Sequence, residues 1–111
     1  MIKPSNKVVF VNEEVEKLFE TLSDEDPLKK GIKQAIKEIG DNCQAGEHIS
    51  PNSILSENCL KKYGANNIRV FDLPLFYRLI YSIVPNEIEI ISVILDWADH
   101  KRYEKLSKKK L

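Results

Sequence analysis

An α+β domain, with elements in the order β-α-α-β-β-β-α, is the fold this sequence predicts, and three observations carry it. A short β-branched run opens the chain, two amphipathic helical stripes follow it, and three strand-like runs separated by proline breaks precede a charged C-terminal segment. At 111 residues and 42% hydrophobic content the chain suits one compact domain, residues 1–111, with a small core in which misplaced polar groups are costly. The expected architecture is a small, mainly antiparallel sheet with a helical hairpin on one face.

Lys7 to Val11 (KVVFV) has strand composition but is too short to stand alone, so it must join a sheet. Asn12 offers an N-cap, Glu13 and Glu14 suit the positive end of a helix, and Val15, Leu18, Phe19 and Leu22 share one face. Ser23 to Asp26 is a turn. Asp26 caps the next helix, Pro27 suits its first position, and Leu28, Ile32, Ala35, Ile36 and Ile39 form a second stripe ending at Gly40.

From Asp41 to about Ser56 the chain is polar and aperiodic, which predicts a long loop, with a helical turn between Pro51 and Tyr63 that Gly64 ends. Asn67 to Leu73 (NIRVFDL), Phe76 to Val84 and Glu87 to Asp96 read as a three-strand meander, broken at Leu73-Pro74 and turning at Pro85-Asn86. WADHKRYEKLSKKKL closes as a short helix with Asp96 near its start and Lys108, Lys109 and Lys110 at its negative end. Such a helix is marginal alone and must dock.

Composition excludes several function classes. No stretch reaches the roughly 18 apolar residues of a membrane span, and MIKPSNKVVF lacks the apolar core of a signal peptide, so a cytoplasmic protein is expected. Cys43 and Cys59 have no metal-site spacing and His48 is isolated; free thiols are expected, with a Cys43–Cys59 disulfide disfavoured in a reducing compartment. Nucleophile arrangements, phosphate-cradling glycine loops and clustered metal ligands do not occur, so neither metal nor cofactor is expected. Net charge is zero but uneven. Residues 1–60 carry seven Lys against eleven Asp and Glu, a net of −4, and residues 61–111 carry ten Lys and Arg against six acids, a net of +4.

The segment FYRLIYSIVPNEIEIISVILDWADHKRYEKL, Phe76 to Leu106, holds the residues that could carry chemistry. With Pro85-Asn86 as a two-residue loop, Val84 faces Glu87, Tyr81 faces Ile90, Leu79 faces Ser92 and Arg78 faces Val93. One face then carries Tyr77, Leu79, Tyr81 and Ile83, the other Phe76, Arg78, Ile80 and Ser82. The helical hairpin covers only one side, leaving the Arg78 side as a cleft floor with the C-terminal helix at its rim, or as a face that waits for a partner. A guanidinium keeps its proton and its planar fork matches a phosphate; a structural pairing with Asp72 or Asp96 is the alternative. Arg69, on the neighbouring strand, is a second candidate.

His100 and Tyr103 share a helical face. Histidine is the usual general acid or base near neutral pH, and a tyrosine hydroxyl orients or donates a proton. The alternative is an exposed histidine balanced by Glu104 and a packed tyrosine. Lys101, Arg102, Lys105 and the lysine tail are either a solvated face or, clustered with Arg78, a phosphate-binding surface with the expected salt sensitivity. Trp97 at the strand end fits the core or rim better than a base-stacking platform.

NIRVFDLPLFYRLIYSI followed by EIEIISVILDWADHKRYEKL resembles the RelE-like toxins of the RelE/ParE superfamily of toxin–antitoxin systems, over roughly Asn67 to Leu106, with LKKYGANNI before it adding support. The resemblance implies a small sheet with two helices on one face, a cognate antitoxin in a toxin–antitoxin hetero-oligomer, and a basic cleft that cuts messenger RNA, often at the ribosomal A site, without a metal. It places Arg78 on the phosphate, His100 and Tyr103 where proton-transfer or orienting residues sit, Lys101, Arg102 and Lys105 on RNA, and Arg69 where some members carry a strand lysine. A ParE-like gyrase-binding toxin and a catalytically silent interaction protein of the same fold are the competing expectations.

Overall fold

A computed structural model of the chain describes residues 4–5, 7–86 and 89–111. Strand β1 (Lys7–Phe10) leads into helices α1 (Glu13–Thr21) and α2 (Pro27–Asp41). Both helices start where the sequence predicts. Asn12 Oδ1 accepts from the Val15 N–H and Asp26 Oδ1 from the Leu28 N–H, each at 2.9 Å, satisfying amide groups that have no partner inside a helix. Each such cap stabilises by about 1 kcal/mol.

Strand β2 (Glu47–His48), helix α3 (Ile54–Tyr63), strand β3 (Ile68–Asp72), one 3-10 turn (Pro74–Phe76), strands β4 (Tyr77–Pro85) and β5 (Ile90–Asp99) and helix α4 (His100–Lys108) complete the chain. Gly64 ends α3 in the left-handed conformation, φ 67°, as expected of the glycine there. The sheet order is β1-β5-β4-β3-β2, with β1 parallel to β5 and the other pairs antiparallel. Among the described residues the domain is thus α+β with a five-stranded mixed sheet and four helices, and β3, β4 and β5 form the expected meander.

Three expectations are corrected. The stretch predicted as a loop contains β2, and the helical turn after it is a full ten-residue helix, so the order is β-α-α-β-α-β-β-β-α. The hairpin register is also different. β4 runs on to Pro85, and Asn86 and Glu89 close the connection through Asn86 N–H to Glu89 O at 2.9 Å, so Val84 pairs with Ile91, Tyr81 with Ile94, Leu79 with Trp97 and Arg78 with Ala98. The predicted Val84–Glu87 pair and the predicted strand start at Glu87 lie outside the described residues. A bulge between Ile80 and Tyr81 leaves Leu95 as an extra residue on β5, and β5 runs past the expected end at Asp96 to Asp99, which caps α4 through a 2.8 Å bond from the Arg102 N–H.

The third correction concerns the layers: the largely apolar faces of the central strands suit cover on both sides, and the face opposite α2 carries a helical layer of its own. Against one face α2 packs Leu28, Ile32, Ala35 and Ile39 on Leu79, Tyr81 and Ile94. Against the other, α3 contributes Leu55 and Cys59 and α4 contributes Tyr103 and Leu106 to a second cluster with Ile68, Val70, Ile80 and Leu95. The side expected to be an open floor is roofed by α3 and α4. Its physical cause is the apolar surface that Ile68 and Val70 of β3, Ile80 of β4 and Leu95 of β5 present on that side, which needs burial. Cys43 and Cys59 are free and buried, Cys43 beside Tyr81 on one face and Cys59 in the cluster on the other, with the sheet between them.

Candidate functional site

Arg78 stands near the start of β4, on the α3/α4 side of the sheet, opposite Asp72 on β3 and Ala98 on β5. Its Nε lies 3.6 Å from Asp72 Oδ1, which is the Asp72 pairing expected as the structural alternative. Both side chains reach solvent, 42% and 88% exposed, so this pair is worth at most about 1 kcal/mol. The guanidinium also lies over the Tyr103 ring, Cζ 4.6 Å from its centroid, a contact worth about 0.5–1 kcal/mol at an exposed site. Tyr103 is half-buried in the second cluster, so its ring is a fixed surface that orients the arginine.

His100 is the first residue of α4, immediately after the Asp99 cap. Its Nε2 lies 3.1 Å from Glu104 Oε1 one helical turn on, and its side chain is 66% exposed. That pairing is also one the sequence predicts. Arg78 and His100 line one open cleft of about 390 Å³, together with Asp72, Leu73, Leu75, Phe76 and Tyr77. The three residues expected to carry catalysis are therefore gathered at one place: arginine and histidine on the cleft wall, tyrosine behind the arginine. A phosphate entering this cleft meets a guanidinium whose present partner is an exposed carboxylate that it can exchange at little cost.

The four residues expected to bind RNA divide. Lys101 and Lys105 are exposed on α4 and take part in no ion pair among the described residues. Arg102 is committed elsewhere, forking across both oxygens of Asp96 and donating to Trp97 O at 3.1 Å. The Asp96 hydrogen bond, ahead of its charge, pushes the Arg102 guanidinium further up in pKa, and the pair ties α4 to β5. Arg69 is not brought to the cleft. It pairs in register with Tyr81 and so faces the α2 side, where Nε donates to Gly46 O at 2.8 Å and Nη2 to Gln44 O at 3.3 Å, pinning the 43–48 segment to the sheet.

Phe76 is placed differently from the sequence expectation. Instead of opening the strand on the Arg78 face it ends the 3-10 turn, 86% exposed, with φ 60°, beside Leu75 at φ 61°. Pro74 is the only local signal for this, because a proline following an extended residue starts a turn and leaves the next residues free of the ladder.

Cys59 is buried, 4% exposed, in the second cluster. Burial, ahead of the nearby Asp96 charge, raises its thiol from the ordinary value near 9 to about 11, away from the thiolate form that reacts. No group of three His, Cys, Asp or Glu side chains placed to hold a metal ion occurs among the described residues. Among the described residues, no helix is long and apolar enough to cross a membrane.

No protein-family model, curated protein or solved structure matches the chain.

Proposed function

We propose that this chain is a RelE-like toxin of a type II toxin–antitoxin system, a cytoplasmic endoribonuclease that cuts messenger RNA at the ribosome and is held inert by a cognate antitoxin covering the Arg78 cleft. The observation that carries the reading is the convergence of Arg78 from β4 and His100 from α4 on one cleft, with Tyr103 beneath the Arg78 guanidinium. The resemblance assigns these positions, and in the fold Arg78 and His100 reach the open cleft while Tyr103 supports Arg78 from behind.

The chemistry follows from the groups present. The 2′-hydroxyl of the RNA attacks the adjacent phosphorus, forming the P–O2′ bond as the P–O5′ bond breaks. Products are a 2′,3′-cyclic phosphate and a free 5′-hydroxyl. Arg78 neutralises the phosphorane oxygens, and Tyr103 holds the guanidinium plane for them. His100, kept in place by Glu104, serves as the general acid to the departing 5′-oxygen, while the 2′-hydroxyl proton leaves to solvent through the open side. Lys101 and Lys105 lie on the flanking surface of α4 and draw the backbone in.

Expression of the chain in a bacterial host tests the site. Wild type should arrest growth, and Arg78→Ala and His100→Ala should each release the arrest at equal protein levels. Arrest that persists in both variants removes the catalytic assignment. One second reading has a specific observation in its favour. The engagement of Arg78 by Asp72 and of Arg102 by Asp96 suits a silent interaction protein of the same fold, which would give no arrest from the wild type. A ParE-like gyrase binder would arrest growth with damaged DNA and intact messages.

A further inference from the structure

We propose that Phe76 is a base-stacking platform at the mouth of the Arg78 cleft, so that the site takes a single-stranded RNA segment with one base on the Phe76 ring and the neighbouring phosphate on Arg78. This rests on the reading of the cleft as an RNA site and names how the substrate is gripped.

Phe76 is the most exposed large hydrophobic residue among those described, at 86%, and it lines the same cleft as Arg78 and His100. Its exposure is imposed. Leu75 and Phe76 both hold φ near +60°, a region that costs a residue with a Cβ and is entered only when the surroundings enforce it. The enforcing contacts are visible. Leu73 N–H donates to Tyr77 O at 2.9 Å across the turn, and Pro74 is seated so closely on α2 that a Cβ at Gly31 would lie 2.3 Å from its Cδ. A turn wedged against a helix aims an aromatic ring outward beside a guanidinium, where a relaxed strand start would pack it onto the sheet.

Single-stranded nucleic acid fits this pair of groups. Every base has a π face that an exposed aromatic accepts without sequence preference, and the phosphate next to it needs a cation at short range. Duplex RNA does not fit, because its bases are stacked on one another. Lys101 and Lys105 are exposed on α4, the helix that His100 opens, and among the described residues Asp72 is the one acidic group lining the cleft.

Fluorescence anisotropy of the full chain with a short labelled single-stranded RNA, 2′-O-methylated at each position to prevent cutting, tests the platform. Phe76→Ala should weaken binding roughly tenfold, Phe76→Trp should retain or improve it, and neither should alter the slope of log affinity against log salt. Arg78→Ala should weaken binding and also flatten that slope, because it removes a phosphate contact. Circular dichroism and the melting midpoint of each variant verify folding, and the exposed position of Phe76 makes Phe76→Ala well tolerated. Wild-type binding that Phe76→Ala leaves unchanged overturns the platform alone. Unchanged RNA binding with altered self-association on sedimentation makes Phe76 a protein contact, which equally overturns it. A wild-type chain that binds no RNA overturns the platform together with the reading beneath it.

Discussion

Replacing Asn58 should undock α4 while leaving the sheet folded, because one carboxamide on α3 holds the far end of the chain. Asn58 is 4% exposed; its Nδ2 donates to Leu106 O and Lys109 O, both at 2.9 Å, and its Oδ1 accepts from the Leu111 N–H at 2.9 Å. Two of these acceptors are carbonyls at the end of α4, which have no helical partner of their own. Three bonds at about 0.5–1.5 kcal/mol each, with the freed carbonyls partly rehydrated, put Asn58→Ala near 2 kcal/mol of destabilisation. For a domain of this size that lowers the melting midpoint by about 10 °C. Asn58→Asp separates bonding from volume. It keeps the one acceptor, loses both donations and sets a carboxylate against two carbonyls, so it should be worse than alanine despite its near-identical shape. Urea denaturation gives the stability, and amide exchange in α4 reports undocking. An aspartate variant as stable as wild type, or an alanine variant within about 0.5 kcal/mol of it, would refute the clasp.

The remaining predictions concern groups that fix the site or the core. Gly31→Ala adds helix propensity, but its Cβ would fall 2.3 Å from Pro74 Cδ; a net loss of about 1–2 kcal/mol is expected in thermal melts, with a shifted Phe76 environment, and a stabilised variant would show that the turn yields freely. Tyr81→Phe should cost about 2–3 kcal/mol in urea, since the buried hydroxyl accepts from the Gly46 N–H at 2.9 Å and donates to Cys43 O at 2.7 Å; a loss under about 0.5 kcal/mol would contradict that burial. Between about 9 and about 11 the folded chain keeps the Cys59 proton that an unfolded chain releases, so stability should fall as pH rises across that window. Cys59→Ala should flatten that decline in pH-dependent denaturation, and an equal slope in both proteins would exclude Cys59 as its source.

Much of the fold could be read from local chemistry. Asn12, Asp26-Pro27 and Gly64 each carry a terminus signal whose physics is contained within a few residues, and each acts where expected. Arg78, His100 and Tyr103 were legible as a group for a similar reason, since a helix that follows directly on a strand beside β4 cannot travel far from it. What was hidden depends on partners distant in sequence. Helix α3 turns Ser56 and Asn58 inward beside Leu55 and Cys59, which breaks the apolar stripe that would have announced it. Arg69 and Arg102 look alike in sequence to a binding arginine, but backbone carbonyls of the 43–48 segment occupy one and Asp96 the other. Leu95 gives no bulge signal, because its neighbours Ile94 and Asp96 fit an unbroken strand equally well. Phe76 read as a strand residue because its left-handed backbone is enforced by α2, more than thirty positions earlier.

Primer extension on cellular messages after induction of the chain bears most directly on the central claim, that the Arg78 cleft cuts RNA. Wild type should produce discrete new 5′ ends within coding regions, and these should disappear in Arg78→Ala and His100→Ala proteins that melt within a few degrees of wild type. Intact messages after induction of the wild type, or identical ends from both variants, would contradict it.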